Sequence, residues 1–401
     1  MQPVFNVSEG VGDDADPTLV WEAIVSRAID ARVSDIHVLS RRDGAELAFR
    51  LDGEMLSQGM LDDQFARRMV SHVKTVSAID LGESRRPTEG RMRIDTDERA
   101  VDLRVSAVPT IHGQDLVVRV FDRTISLLDL GELGLLDDQR EIIEDMIQRP
   151  HGLILVSGPT GSGKTTTLYA MLRRLTGRGR KILTIENPVE YDLEEVNQTQ
   201  ISPKIGVTFS TMLTAILRQD PDIIMVGEIR DEETAVTAVR AATTGHLVLA
   251  TTHAIRASRA VETLLSLGVH PYFLSIALRG VVAQVLVKTI CPHCKQALPE
   301  TADLVVDDAL HDRLDHPATG LYQGTGCDHC YGSGYAGRQG IFELFTPDDA
   351  IKQLILSRSP ATDIEAVMRS RNLLTLEQAG KLAALNGRTT MEEVIDILPL
   401  L

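Results

Sequence analysis

The sequence is poor in aromatic residues and cysteine, and it has no hydrophobic run long enough to cross a bilayer. Phe, Trp and Tyr make up 4% of the 401 residues, and cysteine occurs four times. A membrane-spanning helix needs about 20 consecutive apolar residues. The acidic N-terminus, residues 1–16, also lacks the apolar core of a secretory signal. These absences argue against an integral membrane protein, and they predict a cytoplasmic protein that reaches a membrane only through partners.

Basic residues are in the minority. Lys and Arg number 41 against 57 Asp and Glu, which gives a formal net charge of −16. A general nucleic-acid-binding protein usually presents a basic surface, so we expect no direct nucleic-acid partner.

A chain of 401 residues allows two or three domains with a sizeable core.

The most informative segment is the glycine-rich stretch 158–165, which reads GPTGSGKT and fits the phosphate-binding loop G-x-x-x-x-G-K-[ST]. An apolar run precedes it and a helical pattern follows it. The glycines let backbone N–H groups approach a phosphate, and the positive end of the following helix faces the same place. Lys164 is suited to neutralise the β- and γ-phosphates, and the Thr165 hydroxyl to ligate Mg²⁺. The predicted nucleotide-binding residues are Gly158, Pro159, Thr160, Gly161, Ser162, Gly163, Lys164, Thr165 and Thr166.

The pattern of elements divides the chain into two domains. Residues 1–16 are predicted as a flexible acidic tail, and residues 17–122 as a small α+β domain. Residues 123–135 hold leucine-rich turns with two glycines and are predicted as a hinge linker. In residues 136–401, apolar strands alternate with helices, which is typical of a doubly wound α/β nucleotide-binding core. The strands of this core are expected at 152–157, 181–186, 222–227 and 246–252.

Two parts of the second domain differ from the alternating pattern. Residues 289–340 are rich in glycine and contain all the cysteines, and we interpret them as a zinc subdomain. Residues 347–401 are predicted as C-terminal helices. Thr389 and Glu392 fit a capping box at the start of the last of these helices.

Two acidic strand ends follow the phosphate-binding loop. An apolar strand ends in Glu228, and the stretch 182–190 is a second strand with carboxylates at its end. Phosphoryl transfer to water needs an acid that holds Mg²⁺ and a group that positions the water. A solvated carboxylate explains either strand end alone, but two of them beside a phosphate-binding loop favour a functional site. His246 and His253 bracket a third strand, where a contact with the γ-phosphate and a structural role are both open.

All four cysteines lie in two C-x-x-C pairs, at 291–294 and 327–330. This spacing is typical of structural Zn²⁺ sites, in which four thiolates complete a tetrahedron and leave no position for water. Disulfides are the first alternative, and a cytoplasmic chain disfavours them; free thiols are the second. His293 and His329 are additional candidate ligands. The predicted zinc ligands are Cys291, Cys294, Cys327 and Cys330.

Together these motifs resemble the hexameric ATPases that power type II secretion and type IV pilus assembly. The resemblance begins near residue 20 and continues to the end of the chain. It rests on VSDIH at 33–37, RLDG at 50–53, RPTEGR at 86–91, RVSAVPT at 104–110, the stretch 182–191, LRQDPD at 217–222, GEIRD at 227–231, the stretch 244–253, the four cysteines and GRQGIFE at 337–343.

The resemblance implies a fold and a set of catalytic roles. A PAS-like N-terminal domain is joined to a RecA-like P-loop core with a tetracysteine zinc subdomain and C-terminal helices. Glu190 is then the catalytic glutamate that polarises water, and Glu228 the Walker B acid that organises Mg²⁺. His253, with His246 as the second candidate, senses the γ-phosphate.

The resemblance also implies partners and cofactors. Arg104 and Arg119, otherwise ordinary arginines on predicted strands, become arginine fingers that the N-terminal domain brings to a nucleotide. ATP hydrolysis in a homo-hexamer, with ATP, Mg²⁺ and Zn²⁺ as cofactors, moves one domain against the other. An inner-membrane platform protein passes this movement to pilin or pseudopilin subunits, so the ATPase is cytoplasmic and peripheral at the inner membrane.

Three departures from the family pattern carry expectations of their own. Asn187 stands where the family usually has an aspartate, which removes a carboxylate near the metal, but Glu190 is retained and we expect hydrolysis. The stretch Thr252-His253-Ala254-Ile255-Arg256 stands where the family usually reads L-H-T-N, so we expect the contacts around the γ-phosphate sensor to differ from the family pattern. The additional N-terminal domain through which many members reach a membrane anchor is lacking, so a different anchor or the platform protein alone is expected.

Four alternatives stay open at the level of sequence. A pilus-retraction motor has the same core but normally lacks the cysteine element, and a DNA-transfer ATPase is disfavoured by the acidic balance. A non-hydrolysing ATP-binding scaffold or regulator is compatible with Asn187. A zinc-knuckle nucleic-acid-binding module would need more basic and aromatic residues around the cysteines.

Overall fold

The computed structural model describes residues 2–7, 15–95, 100–122, 128–299, 310, 313–314 and 320–397. The chain forms two compact units. The first comprises Met1–Ser126, Ile290–Gln296 and Gly324–Gly337, and the second comprises Leu127–Thr289, Ala297–Gln323 and Arg338–Leu401.

This division groups both cysteine pairs with the first unit, whereas the sequence analysis assigns them to the second domain. Parts of the predicted acidic tail, hinge linker and zinc subdomain lie outside the described residues. The domain boundaries therefore stay a prediction.

The first unit is built on an antiparallel sheet. Its strands are β1 (Asp35–Arg41), β2 (Gly44–Leu51), β3 (Glu54–Leu61), β4 (Thr88–Asp95), β5 (Ala100–Thr110) and β6 (Gly113–Asp122), and its helices are α1 (Pro17–Asp30) and α2 (Asp63–Val76). The strand order is β3-β2-β1-β6-β5-β4, and each neighbouring pair is antiparallel. This combination of helices and strands agrees with the α+β content predicted for residues 17–122.

Alternation of apolar and polar side chains gives this sheet one buried face. On β5, Leu103 and Val105 are buried in the core while Arg104 between them points to the opposite face. The two helices cover the buried face with residues such as Ile24 and Met69. The polar side chains of the sheet therefore share its other face.

The second unit contains most of a seven-stranded sheet. Its strands are β7 (Gly152–Ser157), β8 (Ile182–Glu186), β9 (Val196–Gln200), β10 (Ile223–Val226), β11 (Leu247–Thr252), β12 (Leu278–Ile290) and, after the short pair β13 (Lys295–Ala297) and β14 (Tyr322–Gly324), β15 (Tyr335–Phe345). The strand order is β15-β12-β7-β11-β10-β8-β9, and the strands from β12 to β9 run parallel to their neighbours.

Helices accompany this sheet. They are α3 (Asp137–Gln148), α4 (Lys164–Leu175), α5 (Phe209–Ile216), α6 (Glu232–Thr243), α7 (Ala257–Ser266), α8 (Pro271–Ala277), α9 (Asp349–Leu356), α10 (Ala361–Ser370), α11 (Leu376–Leu385) and α12 (Met391–Ile397). Every residue of β7, β8, β10 and β11 is buried, as expected for parallel strands covered on both faces. The predicted α/β fold with a nucleotide-binding core is confirmed, and its four predicted strands are correct to within one residue at each end.

The predicted cap of the last helix is wrong by one residue. The Glu393 N–H donates to Thr390 Oγ1 at 3.1 Å, and the Val394 N–H donates to the Thr390 carbonyl. Thr389 is instead fully buried, and its hydroxyl has no partner among the described residues. Two adjacent threonines followed by two adjacent glutamates fit the capping pattern in either register, and burial of Thr389 decides between them.

No helix in the described parts of the chain is long and apolar enough to span a membrane.

Candidate active site

Four loops meet at one edge of the parallel sheet. Strands β7, β11, β10 and β8 are parallel neighbours, so their carboxyl ends lie side by side. The loops that follow them carry the glycine-rich stretch 158–165, His253, Glu228 and Glu190. The structure thus brings together residues that are up to about a hundred positions apart in sequence.

The phosphate-binding loop has a backbone that only glycine adopts readily. Gly158, Gly161 and Gly163 have φ angles of 150°, 79° and 85°. A Cβ on Gly158 would lie 2.3 Å from the Gln284 carbonyl oxygen, so a side chain is excluded by space as well as by conformation. Gly163 precedes α4, and the N-terminus of this helix faces the loop. The predicted strand, loop and helix arrangement is therefore present.

Lys164 is held against its own loop. Its Nζ donates to the carbonyls of Gly158 at 2.6 Å and Pro159 at 3.0 Å. Burial lowers the pKa of Lys164, and the negative charge of Glu228 acts in the opposite direction. The lysine and the Glu228 carboxylate therefore lie within electrostatic reach of each other.

Glu228 accepts hydrogen bonds from two basic side chains at the end of β10. His253 Nε2 donates to Glu228 Oε1, and Arg230 Nε donates to the same oxygen at 2.5 Å. Burial alone would raise the pKa of Glu228, but the hydrogen bonds and charges of Arg230 and His253 outweigh it and lower the pKa. Glu228 is therefore ionised at neutral pH, which is the charge state that its predicted Mg²⁺-organising role requires.

Hydroxyl groups tie these strand ends together. Ser157 Oγ, at the end of β7, donates to the Ala254 carbonyl next to His253. Thr251 Oγ1 donates to the Gly227 carbonyl at 2.5 Å, and the Ile229 N–H donates to the Thr251 carbonyl at 2.9 Å. These bonds cross from β7 to β11 and from β11 to β10. They therefore fix the segments that carry His253 and Glu228 relative to the phosphate-binding loop.

Glu186, the last residue of β8, and Glu190, which follows the strand, have different environments. Glu186 is 2% exposed and accepts hydrogen bonds from Tyr169 Oη, from Thr184 Oγ1 at 2.5 Å and from Gln198 Nε2 at 3.0 Å. Glu190 is only partly buried, and Asn187 is exposed. Glu186 is therefore committed to the interior, whereas the catalytic role of the partly buried Glu190 stays a prediction.

His246 and His253 lie at opposite ends of β11. His246 precedes the strand, and its Nδ1 donates to the Ala241 carbonyl at 3.0 Å. Seven residue steps at roughly 3.3 Å each separate the two histidines by about 23 Å. The structure therefore places His253, but not His246, near the phosphate-binding loop of the same chain, and a sensor role for His246 stays a prediction without support from this geometry.

Arg104 and Arg119 lie on the polar face of the first unit's sheet. They are directly opposite each other on β5 and β6. Arg119 Nε donates to Asp35 Oδ1 at 2.8 Å, and the Arg104 guanidinium carbon lies 4.3 Å from the centre of the Phe121 ring. Arg91 is opposite Arg104 on β4, so three arginines line up across three strands. Their role at a nucleotide stays a prediction.

The four cysteine sulfurs are arranged as a metal site requires. All four lie within 4.8 Å of one another. The Sγ–Sγ distances are 3.8 Å for Cys291 and Cys327, 3.8 Å for Cys294 and Cys330, and 3.7 Å for Cys327 and Cys330. Four thiolates at about 2.3 Å from a tetrahedral Zn²⁺ would be about 3.8 Å apart. The donor set thus fits zinc, and none of the four cysteines forms a disulfide.

Backbone N–H groups support the sulfur cluster. The N–H groups of Cys327 and Gly334 donate to Cys330 Sγ at 3.2 and 3.3 Å. Such bonds stabilise negative charge on a thiolate. His293 and His329 stack on each other with ring centres 3.9 Å apart, and the described metal-ligand cluster contains the four cysteines without either histidine.

The comparisons with known proteins agree with this geometry. The family model described as Type II/IV secretion system protein matches residues 12–396. The chain belongs to this family. It is 41% identical over 385 residues to the type II secretion system ATPase E of Vibrio cholerae, covering 96% of this chain and 76% of the relative. It is 39% identical over 372 residues to the type IV pilus assembly ATPase PilB of Thermus thermophilus, covering 93% of this chain and 42% of the relative.

A solved structure supports the same assignment. The ADP-bound pilus retraction motor PilT aligns with a TM-score of 0.64 at 25% identity, covering 93% of this chain and 95% of that one. The family prediction made from the motifs is confirmed.

The sequence did not reveal the hydroxyl groups of Ser157 and Thr251, which form hydrogen bonds between neighbouring strand ends, or Gln284, which binds the phosphate-binding loop. Their contacts join segments far apart in the chain, and no local motif marks them.

Proposed function

We propose that this member of the secretion ATPase family couples ATP hydrolysis to assembly of a type II secretion pseudopilus or a type IV pilus. The chain is an ATP hydrolase of that family. The observation that carries the proposal is the meeting of the phosphate-binding loop, Glu228, His253 and Glu190 at one edge of the sheet. A site for phosphoryl transfer to water needs these groups together.

The present contacts indicate how the site would receive ATP. Lys164 exchanges the carbonyls of Gly158 and Pro159 for the β- and γ-phosphates, because a charged oxygen is a stronger acceptor than a neutral one. Thr165 and Glu228 supply the hard oxygen donors that Mg²⁺ prefers. The ion would neutralise charge on the phosphates. His253 is then free to leave Glu228 and donate to the γ-phosphate.

Glu190 is the proposed residue that orients and polarises the attacking water. It follows β8 at the ligand-binding edge of the sheet, and its neighbour Glu186 is occupied by three interior donors. Arg104 and Arg119 are the proposed arginine fingers. Like-charged side chains opposite each other on neighbouring strands are unfavourable, so their alignment is suited to an anionic ligand.

Steady-state ATP hydrolysis with Mg²⁺ tests the proposal. Glu190→Gln keeps the size and hydrogen-bonding capacity of the side chain but cannot polarise water, so we expect hydrolysis to fall at least about a hundredfold while ATP binding persists. Glu194→Gln changes an exposed carboxylate in the same loop and is the matched control. Full activity in Glu190→Gln would reject the assignment. An ATP-bound wild-type chain that does not hydrolyse ATP would favour a scaffold.

The proposed setting follows the family. A homo-hexamer on the cytoplasmic face of the inner membrane would act on a platform protein and, through it, on pilin or pseudopilin subunits. Zn²⁺ held by the four cysteines would stiffen the segment that carries them. Size measurement by light scattering with and without ATP tests the ring, and pull-down with the platform protein's cytoplasmic domain tests the partner.

A pilus-retraction motor is the second candidate, because PilT aligns with most of this chain. The relatives named for secretion and pilus assembly are more similar in sequence, at 41% and 39% identity against 25%. We therefore favour assembly or export. Fibre assembly in cells whose only copy of the gene encodes Lys164→Ala would contradict that choice.

A further inference from the structure

A buried glutamine lies directly behind the phosphate-binding loop. Gln284 is on β12, the neighbour of β7, one residue beyond the point where Ala283 is paired with Ser157. It is 1% exposed. Its Nε2 donates to the Ser162 carbonyl at 2.6 Å, across 122 positions of sequence. The contact joins the loop to a strand that carries none of the ATPase motifs.

This hydrogen bond has a consequence for the next peptide N–H. A trans peptide unit is planar, and its C=O and N–H point in opposite directions. Holding the Ser162 carbonyl against Gln284 therefore directs the Gly163 N–H to the other side, away from β12. The phosphate-binding loop works by presenting such N–H groups to the ligand. A carbonyl oxygen turned to that side would repel a phosphate instead.

Within the loop, Lys164 Nζ and the Ser162 N–H bind carbonyls at the start of the loop. The Ser162 carbonyl is instead held by Gln284, from outside the loop. Gly163 has no side chain to restrict rotation, and its φ of 85° lies in the left-handed region. Gln284 also limits the loop through space. A Cβ on Gly158 would lie 2.3 Å from the Gln284 carbonyl oxygen, and a Cβ on Gly163 would lie 3.3 Å from Gln284 Nε2. One residue thus contacts both ends of the loop.

We infer that Gln284 is a positioning residue for nucleotide binding, which holds the Ser162–Gly163 peptide so that its N–H faces the phosphates. The inference rests on the proposed ATP-dependent function. Gln284 acts through the loop backbone and does not touch the reacting atoms. Its loss weakens binding of the nucleotide phosphates more than it slows the chemical step.

The second unit offers a matched control. Gln139 on α3 is also buried, at 6% exposed, and its Nε2 donates to the Phe342 carbonyl at 2.9 Å. Its Oε1 also accepts a hydrogen bond from the Leu136 N–H at 3.2 Å, so both of its partners lie outside the phosphate-binding loop. Methionine is close to glutamine in length but lacks the amide group. Gln284→Met and Gln139→Met therefore each remove a buried amide donor, and Gln139→Met removes the bond to Leu136 as well.

The experiment measures the Kd for ATP and ADP, the KM and kcat of hydrolysis, and the Tm of the nucleotide-free protein, for the full-length chain. We expect Gln284→Met to raise both Kd values and the KM about tenfold, the effect of losing one well-placed hydrogen bond. Its kcat should stay within about twofold of wild type. Gln139→Met should lower the Tm to a similar degree and leave nucleotide affinity unchanged.

Nucleotide affinities in Gln284→Met equal to those in Gln139→Met would overturn the inference. If Gln284→Met does not fold, Gln284→Asn decides. Asparagine keeps the buried amide but is one methylene too short to reach Ser162, so wild-type affinity in that variant also rejects the assignment. Wild-type protein and Lys164→Ala accompany each series. Failure of wild type to bind ATP would count against the proposed function, whereas wild-type binding without an effect at Gln284 counts against this inference alone.

Discussion

At the scale of single residues, the environment of each carboxylate determines what it can do. Glu186 and Glu190 are four positions apart, yet Glu186 is saturated by interior donors while Glu190 is only partly buried. Glu228 is ionised because Arg230 and His253 outweigh the cost of its burial. Carboxylates of the same chemistry thus differ in burial and in charge state because of the groups around them.

Tyr169 is the residue whose loss should expose the structural role of Glu186. Burial and the Glu186 carboxylate raise the pKa of Tyr169, so its hydroxyl stays a donor throughout the neutral range. Tyr169→Phe leaves Glu186 with fewer donors in the interior. We expect the free energy of unfolding to fall by about 1–3 kcal/mol, as measured by urea denaturation. Tyr272→Phe changes an exposed tyrosine and should have no measurable effect. Equal stability of the two variants would contradict the structural role.

At the scale of elements, one buried carboxylate joins two helices. Glu343 on β15 accepts hydrogen bonds from the Ala257 N–H at 2.7 Å and the Leu376 N–H at 3.2 Å, which are the first residues of α7 and α11. The positive ends of both helices favour negative charge at this point. Arg256 adds a bond to Glu377 across the same junction. Since α7 begins at Ala257, shortly after His253, this junction links the segment that carries His253 to the C-terminal helices.

The pH dependence of stability should report on Glu343. Burial raises its pKa above the ordinary value of 4.5, although both backbone N–H groups and Arg256 act against this. A carboxyl group with a raised pKa in the folded state contributes stability below its unfolded pKa and loses it as the pH rises through the folded pKa. Glu343→Gln removes this titration. We therefore expect the stability advantage of wild type over Glu343→Gln to shrink as the pH rises above the ordinary value of 4.5.

Urea denaturation of both proteins at several pH values measures the difference. Glu392→Gln changes an exposed carboxylate near the C-terminus and is the control. An advantage that grows with pH would mean that the two helix N-termini stabilise the charged form by more than burial costs.

At the scale of the whole molecule, the cysteine pairs belong to a compact unit that is discontinuous in sequence. Residues Ile290–Gln296 and Gly324–Gly337 join the N-terminal 126 residues in that unit. A small segment with few apolar side chains cannot supply much core by itself, so a metal is a physically reasonable source of its stability.

Metal analysis tests this source. We expect about one zinc per chain, because four thiolates complete the coordination, and we expect zinc to be lost in Cys327→Ser. His293→Ala removes one of the two stacked histidines and should keep the metal. Zinc loss in His293→Ala would show that histidine is a ligand. Absence of zinc from wild type purified without chelator would reject the site.

Features that depend on residues close together in the sequence could be predicted from the sequence. The phosphate-binding loop, the two C-x-x-C pairs and the buried strands β7, β8, β10 and β11 all follow from local spacing and hydrophobic runs. The capping pattern at 389–393 was ambiguous by one residue, because only burial of Thr389 distinguishes the two registers. The sequence places His246 and His253 at the two ends of one strand, and the parallel order of the sheet determines that His253 lies at the edge of the phosphate-binding loop.

The sequence by itself determined the family, the nucleotide-binding loop and the four-cysteine set, because each depends on residues a few positions apart whose spacing is set by the backbone. Only the tertiary structure decided which carboxylate is buried, which histidine reaches Glu228 and which side chain supports the loop from behind. These outcomes depend on pairings such as β12 with β7, which join residues more than a hundred positions apart. Such contacts arise from the packing of the whole sheet, and no short pattern encodes them.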